Sequence, residues 1–410
     1  MTDASYAARI DFVVQLASRL HAYGTTAERL EGAITAVAPR IGLRCAPWSN
    51  PTGLILSFGD ALRDGSIDDT TRVIRLQPGE VDLRKLCQAD AIAERLLARE
   101  IDVPTATAAL HALDRPPGSR SKWLTALSFG LTSASVAGLL RSGWADILTA
   151  GGIGTLIGVL SMLGGNRPRL ANALDAVAAL MAMLLAAAVA TWITPLSLKT
   201  VVIASVIVLL PGMMLTNAVA ELTSQHLVSG TARFAGALAV LLKLTFGTVA
   251  ASHIATQLGW VPREALAAVS TPAWVEWVAL ALGGYAFAVL FKADRRDYPL
   301  VMAAAAIGYS VTKFGGQWFG SEAGVFLASL VITALSNAYA RWANRPGALI
   351  RVPGIILLVP GSVGFRSLTF VLERDVALGL DTGFLLVNLL VALVAGLLFG
   401  NLLIPARRNL

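Results

Sequence analysis

Charge and cysteine are both scarce in this sequence. Only 14% of its 410 residues are charged and 55% are hydrophobic, whereas about 25% of the residues in a soluble domain are charged. This composition excludes a single soluble globule and a disordered chain. Two cysteines, Cys45 and Cys87, are too few to staple a chain of this length, and their spacing is not that of a redox motif.

The charges that are present are distributed unevenly. Residues 1–122 contain 15 basic and 15 acidic residues, while residues 123–410 contain 18 basic and 11 acidic ones. The whole net charge of +7 therefore lies in the apolar part. In a membrane protein this excess is typical of cytoplasmic loops. No DNA- or RNA-binding motif accompanies it, so nucleic acid is not an expected partner.

Residues 1–122 predict a small α+β head that ends in a linker. Apolar residues recur at helical spacing in two segments that end near Tyr23 and Arg40. Further candidate elements are strands at 43–48, 53–58 and 72–76 and helices at 81–99 and 104–113.

The head carries no recognisable chemistry in its sequence. Asp3, Arg9 and Asp11 interrupt any signal-peptide core, so we expect the head to stay in the cytoplasm. A phosphate loop, a metal-ligand cluster and a nucleophile–base motif are all missing from it. The sequence therefore indicates no cofactor and no metal.

The rest of the chain predicts an α-helical polytopic membrane protein of about ten spans, each long enough to cross about 30 Å of hydrocarbon. The spans are 123–140, 144–163, 172–192, 198–218, 232–253, 273–292, 298–314, 323–341, 349–365 and 384–404. With the head inside, 14 basic residues flank the spans on the inner side and 6 on the outer side. This ratio favours an inner membrane protein with both termini cytoplasmic and an even number of spans.

An internal repeat divides the membrane part into two five-helix halves, 123–256 and 257–410. Seven pairs of residues recur in order with an offset of 149 to 151. They are Trp123/Trp274, Asp146/Asp297, Gly158/Gly308, Trp192/Trp342, Pro195/Pro346, Pro211/Pro360 and Phe234/Phe384. A unit of five spans is odd, so the second copy must enter the membrane in the opposite orientation. Inverted repeats are a transporter signature.

Each half contains one helix that proline and glycine interrupt at matching positions. Pro211 and Pro360 cannot donate a backbone hydrogen bond, and Gly212 and Gly361 add conformational freedom. Such breaks are tolerated in a membrane where protein or a water-filled cavity covers the freed backbone. A pair of them is the best sequence indication of a binding site, although a purely structural kink remains the alternative.

Polar residues follow the breaks. Asn217 and Glu221 share a helix face after Pro211, with His226 beyond them, and Arg366 follows Pro360. Lys243 lies near the middle of a span, where facing lipid would cost about 2.5–3.5 kcal/mol.

These side chains suggest roles in binding a zwitterion. Lys243, Arg366 or a broken-helix N-terminus could bind a carboxylate. Glu221 could bind an ammonium group or carry a coupling proton, and His226 could relay protons. For Lys243, a structural ion pair or snorkelling is the alternative.

The motifs resemble the threonine/serine exporter family along essentially the whole chain. LHAYGTTAERLEGAITAVAPRIGLRCAPWSNPTGLILSF is similar to the N-terminal domain of that family. LLPGMMLTNAVAELTSQHLVSGTARF and LVPGSVGFRSLTFVLERD resemble its two membrane signatures. In the family pattern the acid of the first signature is usually Asp, whereas here it is Glu221.

The resemblance implies secondary active export of threonine and serine from the cytoplasm of a bacterium, driven by the proton gradient or the membrane potential. Relatives that split the two modules look like succinate exporters, so a dicarboxylate exporter is the first alternative. A membrane-anchored enzyme or signalling receptor that acts through the head is an alternative of another class. A passive channel is a further alternative, since inverted repeats occur in channels too. The expected partners are a small-molecule substrate, the lipid bilayer and, since helix-packing glycines would allow it, a second copy of the chain.

Overall fold

A computed structural model describes residues 4–61, 70–114, 118–165, 167–265 and 271–406 of the protein. It is mostly helical, with one small sheet near the N-terminus. The head elements are α1 (Tyr6–Ala22), α2 (Ala27–Val37), a 3-10 turn (Ala38–Ile41), β1 (Leu43–Asn50), β2 (Gly53–Asp60), β3 (Thr70–Arg75), α3 (Leu83–Leu97) and α4 (Val103–Ala112).

The three strands form an antiparallel sheet in the order β1-β2-β3. Each predicted strand is confirmed. The alternation along β1 and β2 directs Leu43, Leu56 and Phe58 into a core that they share with the head helices. A buried ion pair between Arg9 of α1 and Asp60 of β2, 3.2 Å long, joins the two layers. The expected linker at 115–119 lies largely outside the described residues.

In the described part of the chain, twelve α-helices follow the head. They are α5 (Ser119–Leu139), α6 (Trp144–Gly164), α7 (Pro168–Trp192), α8 (Leu198–Val206), α9 (Gly212–Thr223), α10 (Leu227–Gln257), α11 (Ala273–Leu290), α12 (Tyr298–Phe319), α13 (Ser321–Ala343), α14 (Ala348–Ile356), α15 (Gly361–Leu372) and α16 (Val376–Leu403).

Seven helical segments among the described residues are long and apolar enough to cross a membrane. They are α6, α7, α10, α11, α13, the stretch Ala348–Leu372 and α16. Counting the bent pair Leu198–Leu209 and Gly212–Thr223 as one span makes eight. Helices α5 and α12 are of similar length but fall outside this set; in α5, 7 of 21 residues are serine or threonine. The expected count of ten is thus not reached by length and composition.

Contacts among the connecting segments define two groups. Arg141 and Thr271 exchange hydrogen bonds, Leu196 bonds to Arg263, and Lys199 pairs with Glu373. These segments form the group that we call the far loops. The segments at 224–226 and 291–293 contact the head instead. Arg345, between α13 and α14, pairs with Asp297, the residue before α12. We call the segments on this side, at 224–226, 291–297 and 344–347, the head-side loops.

Candidate functional site

Two interrupted helices have almost the same geometry. In both, a nine-residue helix (α8, α14) is followed by a break and then by a twelve-residue helix (α9, α15). The residue before the second helix is proline in both cases. Pro211 has φ −80° and ψ 40°, and Pro360 has φ −82° and ψ 36°. Because proline has no N–H, the hydrogen-bond series of the first helix ends there, and the fixed φ of proline suits the start of the next helix.

The two breaks meet at their glycines. A Cβ atom on Gly361 would lie 3.0 Å from Cα and 3.1 Å from N of Gly212. A Cβ atom on Gly212 would lie 2.3 Å from Cγ1 of Val359, the residue before Pro360. Only glycine allows backbones to approach this closely. The N-termini of α9 and α15 therefore abut, and we call this contact the helix crossing.

The helix crossing brings two positive helix ends together. The first-turn N–H groups of a helix have no intrahelical acceptor, and its N-terminus carries about half a positive charge. Thr216, in the second turn of α9, is 2% exposed, and its hydroxyl has no partner among the described residues. Asn217 follows it and is half-buried. Such a site favours a carboxylate together with a group that can hydrogen-bond.

Glu221 lies away from the crossing, in the last turn of α9, and accepts four hydrogen bonds from three donor groups. Its carboxylate is 1% exposed. Arg233 Nε donates to both oxygens at 3.0 and 2.9 Å, and Ser229 Oγ donates at 2.6 Å. The third donor is the backbone N–H of Ala27, the first residue of α2 in the head, at 3.0 Å.

His226 also bonds to the head. Its Nε2 lies 3.2 Å from Oε2 of Glu31, which is one turn further along α2. Glu31 in turn accepts the N–H of Ser49 in β1 at 2.7 Å. The structure therefore brings Glu221 and His226 together at the surface where the head docks.

Lys243 and Arg366 differ in their surroundings. Lys243 of α10 lies 3.4 Å from Asp175 of α7 and is 44% exposed. This is the ion pair that the sequence left as the alternative for Lys243. Arg366 of α15 is exposed and has no ion pair among the described residues.

Two further polar clusters lie within the helices. Glu276 of α11 is buried and accepts bonds from Lys313 and Tyr309 of α12. Arg351 of α14 donates to Asn337 at 2.8 Å, and Asn337 donates to Asn401 at 2.9 Å. Lys313 and Arg351 are among the basic residues that the sequence analysis counted as flanking the spans. The signal that could have identified them is a polar residue inside one apolar helix that has a polar partner inside another helix.

A polar cleft of about 460 Å³ separates α3 of the head from the head-side loops. Its lining includes Arg84, Glu94 and the Asp297–Arg345 pair, whose two hydrogen bonds are 2.6 and 2.7 Å long. These bonds raise the pKa of the Arg345 guanidinium. Cys87 also lines the cleft, and burial raises the pKa of its thiol to about 11. No group of three His, Cys, Asp or Glu residues that could hold a metal occurs in the described part of the chain.

A bundle of membrane-length helices with two matching interrupted helices defines a multi-pass membrane protein of the transporter class. Two family models match this chain: "Putative threonine/serine exporter" over residues 11–255 and "Threonine/Serine exporter, ThrE" over residues 276–403. The protein belongs to the threonine/serine exporter family, as the motifs predicted.

Curated relatives of the chain include proteins named as membrane proteins and an uncharacterised protein. Pheromone-regulated membrane protein 10 of Eremothecium gossypii is 23% identical over 365 residues, which cover 87% of this chain and 48% of the relative. The protein of that name in Pichia sorbitophila is 24% identical and covers 87% and 36%. An uncharacterised protein of Schizosaccharomyces pombe is 24% identical and covers 92% and 46%. The chain thus spans half or less of the length of these relatives. No solved structure matches it.

Proposed function

We propose that this protein exports threonine and serine from the cytoplasm as a secondary active transporter, and that the substrate carboxylate binds at the helix crossing. The observation that carries the proposal is the backbone contact between Gly212 and Gly361. It joins two positive helix ends inside the membrane domain beside the unpartnered Thr216 hydroxyl. Hydroxyl and amide groups at 216 and 217 suit a hydroxy amino acid.

Ten spans arranged as two inverted repeats are part of this proposal. The proposal is supported by backbone conformations and helix contacts that recur in the second half 149 to 151 residues after their position in the first. Two residues after the first helix of each half comes a residue with φ 53°, Arg141 or Lys292. Two residues after the second part of each broken helix comes Gln225 (φ 67°) or Arg374 (φ 69°). Arg141 and Arg374 belong to the far loops, whereas Gln225 and Lys292 lie among the head-side loops.

Packing between helices repeats in the same way. A Cβ atom on Gly230 would lie 2.9 Å from the carbonyl oxygen of Ala218, and one on Gly379 would lie 3.1 Å from that of Ser367. A Cβ atom on Gly247 would meet the carbonyl oxygen of Ala176 at 2.3 Å, and one on Gly396 would meet that of Phe326 at 2.4 Å. We therefore retain the division into 1–122, 123–256 and 257–410, with the head and both termini in the cytoplasm.

The partners of Glu221, His226 and Lys243 favour other roles than substrate contact. Glu221 and His226 hold the head, and Asp175 offsets the charge of Lys243. Coupling to the proton gradient or the membrane potential is proposed from the family. The buried Glu276 with Lys313 is the better-placed titratable pair for it, because intramembrane ion pairs commonly serve proton relays. The location in a bacterial inner membrane is also part of the proposal.

The test is efflux of labelled threonine, serine or succinate from preloaded vesicles, with and without a proton-conducting uncoupler. We expect efflux of threonine and serine that the uncoupler reduces. Efflux of succinate alone would replace the proposal with the dicarboxylate alternative. No flux of any of the three would reject the transport proposal for these substrates and turn attention to an activity of the head.

The helix crossing is tested by Gly361→Ala. The added methyl group meets the backbone of Gly212, so the helices must separate, and we expect flux to fall at least about tenfold. Gly152→Ala is the matched control, because a Cβ atom at this position in α6 meets nothing within 4 Å. Parental flux in Gly361→Ala, at an equal amount of monodisperse protein, would remove the crossing from the mechanism.

A further inference from the structure

The head touches both halves of the membrane domain. Its first contact is between α2 and the α9–α10 turn, where Ala27 and Glu31 bond to Glu221 and His226. We call this set the latch contact.

The second contact, called the anchor contact, is with the loop between α11 and α12. The N–H groups of Leu83 and Arg84 donate to the carbonyl oxygens of Phe291 and Lys292 at 2.9 and 3.3 Å. Glu80 pairs with Lys292 at 3.4 Å.

The two contacts differ in chemistry. At the anchor contact, the core of the head is continuous with buried apolar residues of the membrane helices, including Ala288, Val301 and Leu349. Separation there would expose apolar surface to water. At the latch contact the cluster contains no residue of α9 or α10, and hydrogen bonds and the Glu31–His226 pair make the connection. Water can replace those bonds at little net cost.

The membrane side of the latch contact is already satisfied without the head. Glu221 keeps Arg233 and Ser229 as donors when Ala27 leaves, so no buried charge is left alone. The head does not cap α2 with a side chain of its own, because Thr26 at the N-cap makes no side-chain hydrogen bond. Glu221 supplies this cap from the membrane domain, and a carboxylate suits the positive end of α2.

We propose that the head is a latch across the two repeats, anchored to the second and released from the first during each transport cycle. The proposal rests on the proposed function, since it assumes that the repeats move relative to each other. Helix α9 provides the link. It begins at Gly212 in the crossing and carries Glu221 in its last turn, so a shift at the crossing moves the cap of α2.

The experiment compares two cross-linked pairs in a Cys45→Ala, Cys87→Ala background. E31C with H226C closes the latch contact, and E80C with K292C, the matched control, closes the anchor contact. Both pairs replace side chains that touch, at 3.2 and 3.4 Å. A short reducible bis-thiosulfonate is applied to proteoliposomes, and threonine efflux is measured before and after reduction.

We expect cross-linking of the latch pair to lower flux at least about tenfold, reduction to restore it, and the anchor pair to keep flux within about twofold. Equal inhibition by both pairs, inhibition by the anchor pair alone, or flux unaffected by either pair would overturn the proposal.

A readout without substrate separates this proposal from the transport proposal. Ala27 is 1% exposed, so A27C reacts with a membrane-impermeant maleimide only when the latch opens. Glu221→Ala should raise the labelling rate about fivefold, as expected for a lost cap. Glu221→Gln should raise it by less, because its amide oxygen can still accept the Ala27 N–H although the charge is lost. Thr223→Ala, at an exposed position of the same helix, should not raise it. Absence of flux in the parent would reject the transport proposal alone, whereas labelling unchanged by both Glu221 substitutions would reject the latch.

Discussion

Burial controls the reactivity of the two thiols in the head. It raises the pKa of Cys45 and of Cys87 to about 11 each, although Arg345 lowers that of Cys87 in part. The thiolate is the nucleophile, and at pH 8 only about one thiol in a thousand is ionised at such a pKa. We expect alkylation by iodoacetamide at pH 8 to be about tenfold slower than for an exposed cysteine, after allowing for the greater nucleophilicity of the more basic thiolate.

The measurement is the alkylation rate of each cysteine-containing peptide by mass spectrometry between about pH 7 and 10. Both rates should still be rising at the upper end of this range, whereas an ordinary thiol levels off above its pKa. Unfolded protein is the control, because both thiols then regain ordinary reactivity. A plateau near pH 8.5 in the folded protein would contradict the assignment.

At the scale of the element, the helices of the head differ in where their caps come from. Asp82 accepts the Lys85 N–H at 3.0 Å and caps α3 with a residue of its own chain segment. Helix α2 takes its cap from Glu221, 194 residues away. We expect Asp82→Ala to destabilise α3 by about 1 kcal/mol and Thr26→Ala to destabilise α2 by less than about 0.5 kcal/mol.

Hydrogen exchange of the first-turn amides of α2 and α3 measures both effects in the intact protein. Thr35→Ala serves as an exposed threonine control within α2, because its hydroxyl bonds only to the Glu31 carbonyl in its own helix. A loss in Thr26→Ala as large as that in Asp82→Ala would show that Thr26 caps α2 after all.

The same contrast explains how much of the molecule could be predicted. The strands of the head and the breaks at Pro211 and Pro360 follow from local chemistry, and the sequence predicted them. The docking of Ala27 on Glu221 joins two segments whose sequences have no common pattern, so nothing indicated it. The pairing of Lys243 with Asp175 likewise depends on how α7 and α10 pack, and was only one of the alternatives.

At the scale of the whole molecule, the proposed repeat and the head have opposite effects on movement. In the proposed repeat, two similar halves that meet at glycines can rearrange at little cost, because the contact consists of backbone and small residues. A head that is bonded to both halves restrains this movement. The head makes the protein asymmetric, and so do the polar pairs Asp175–Lys243 and Glu276–Lys313, each of which occurs in one half without a counterpart in the other.

The inverted arrangement makes a prediction that a parallel repeat does not. Arg141 and Lys292 have the same backbone conformation at equivalent helix ends, and so do Gln225 and Arg374. In an inverted repeat, the members of each pair lie on opposite sides of the membrane. Single cysteines at these four exposed positions, in a background without Cys45 and Cys87, report the side directly.

In intact cells, a membrane-impermeant maleimide should label R141C and R374C, which belong to the far loops. It should label Q225C and K292C only after the membrane is permeabilised, because they lie on the side of the head. The four substitutions control one another, since the members of each pair share their local backbone conformation. Labelling of both members of a pair from one side would reject the inverted repeat. The helix crossing could then no longer be interpreted as a site that two inverted halves share.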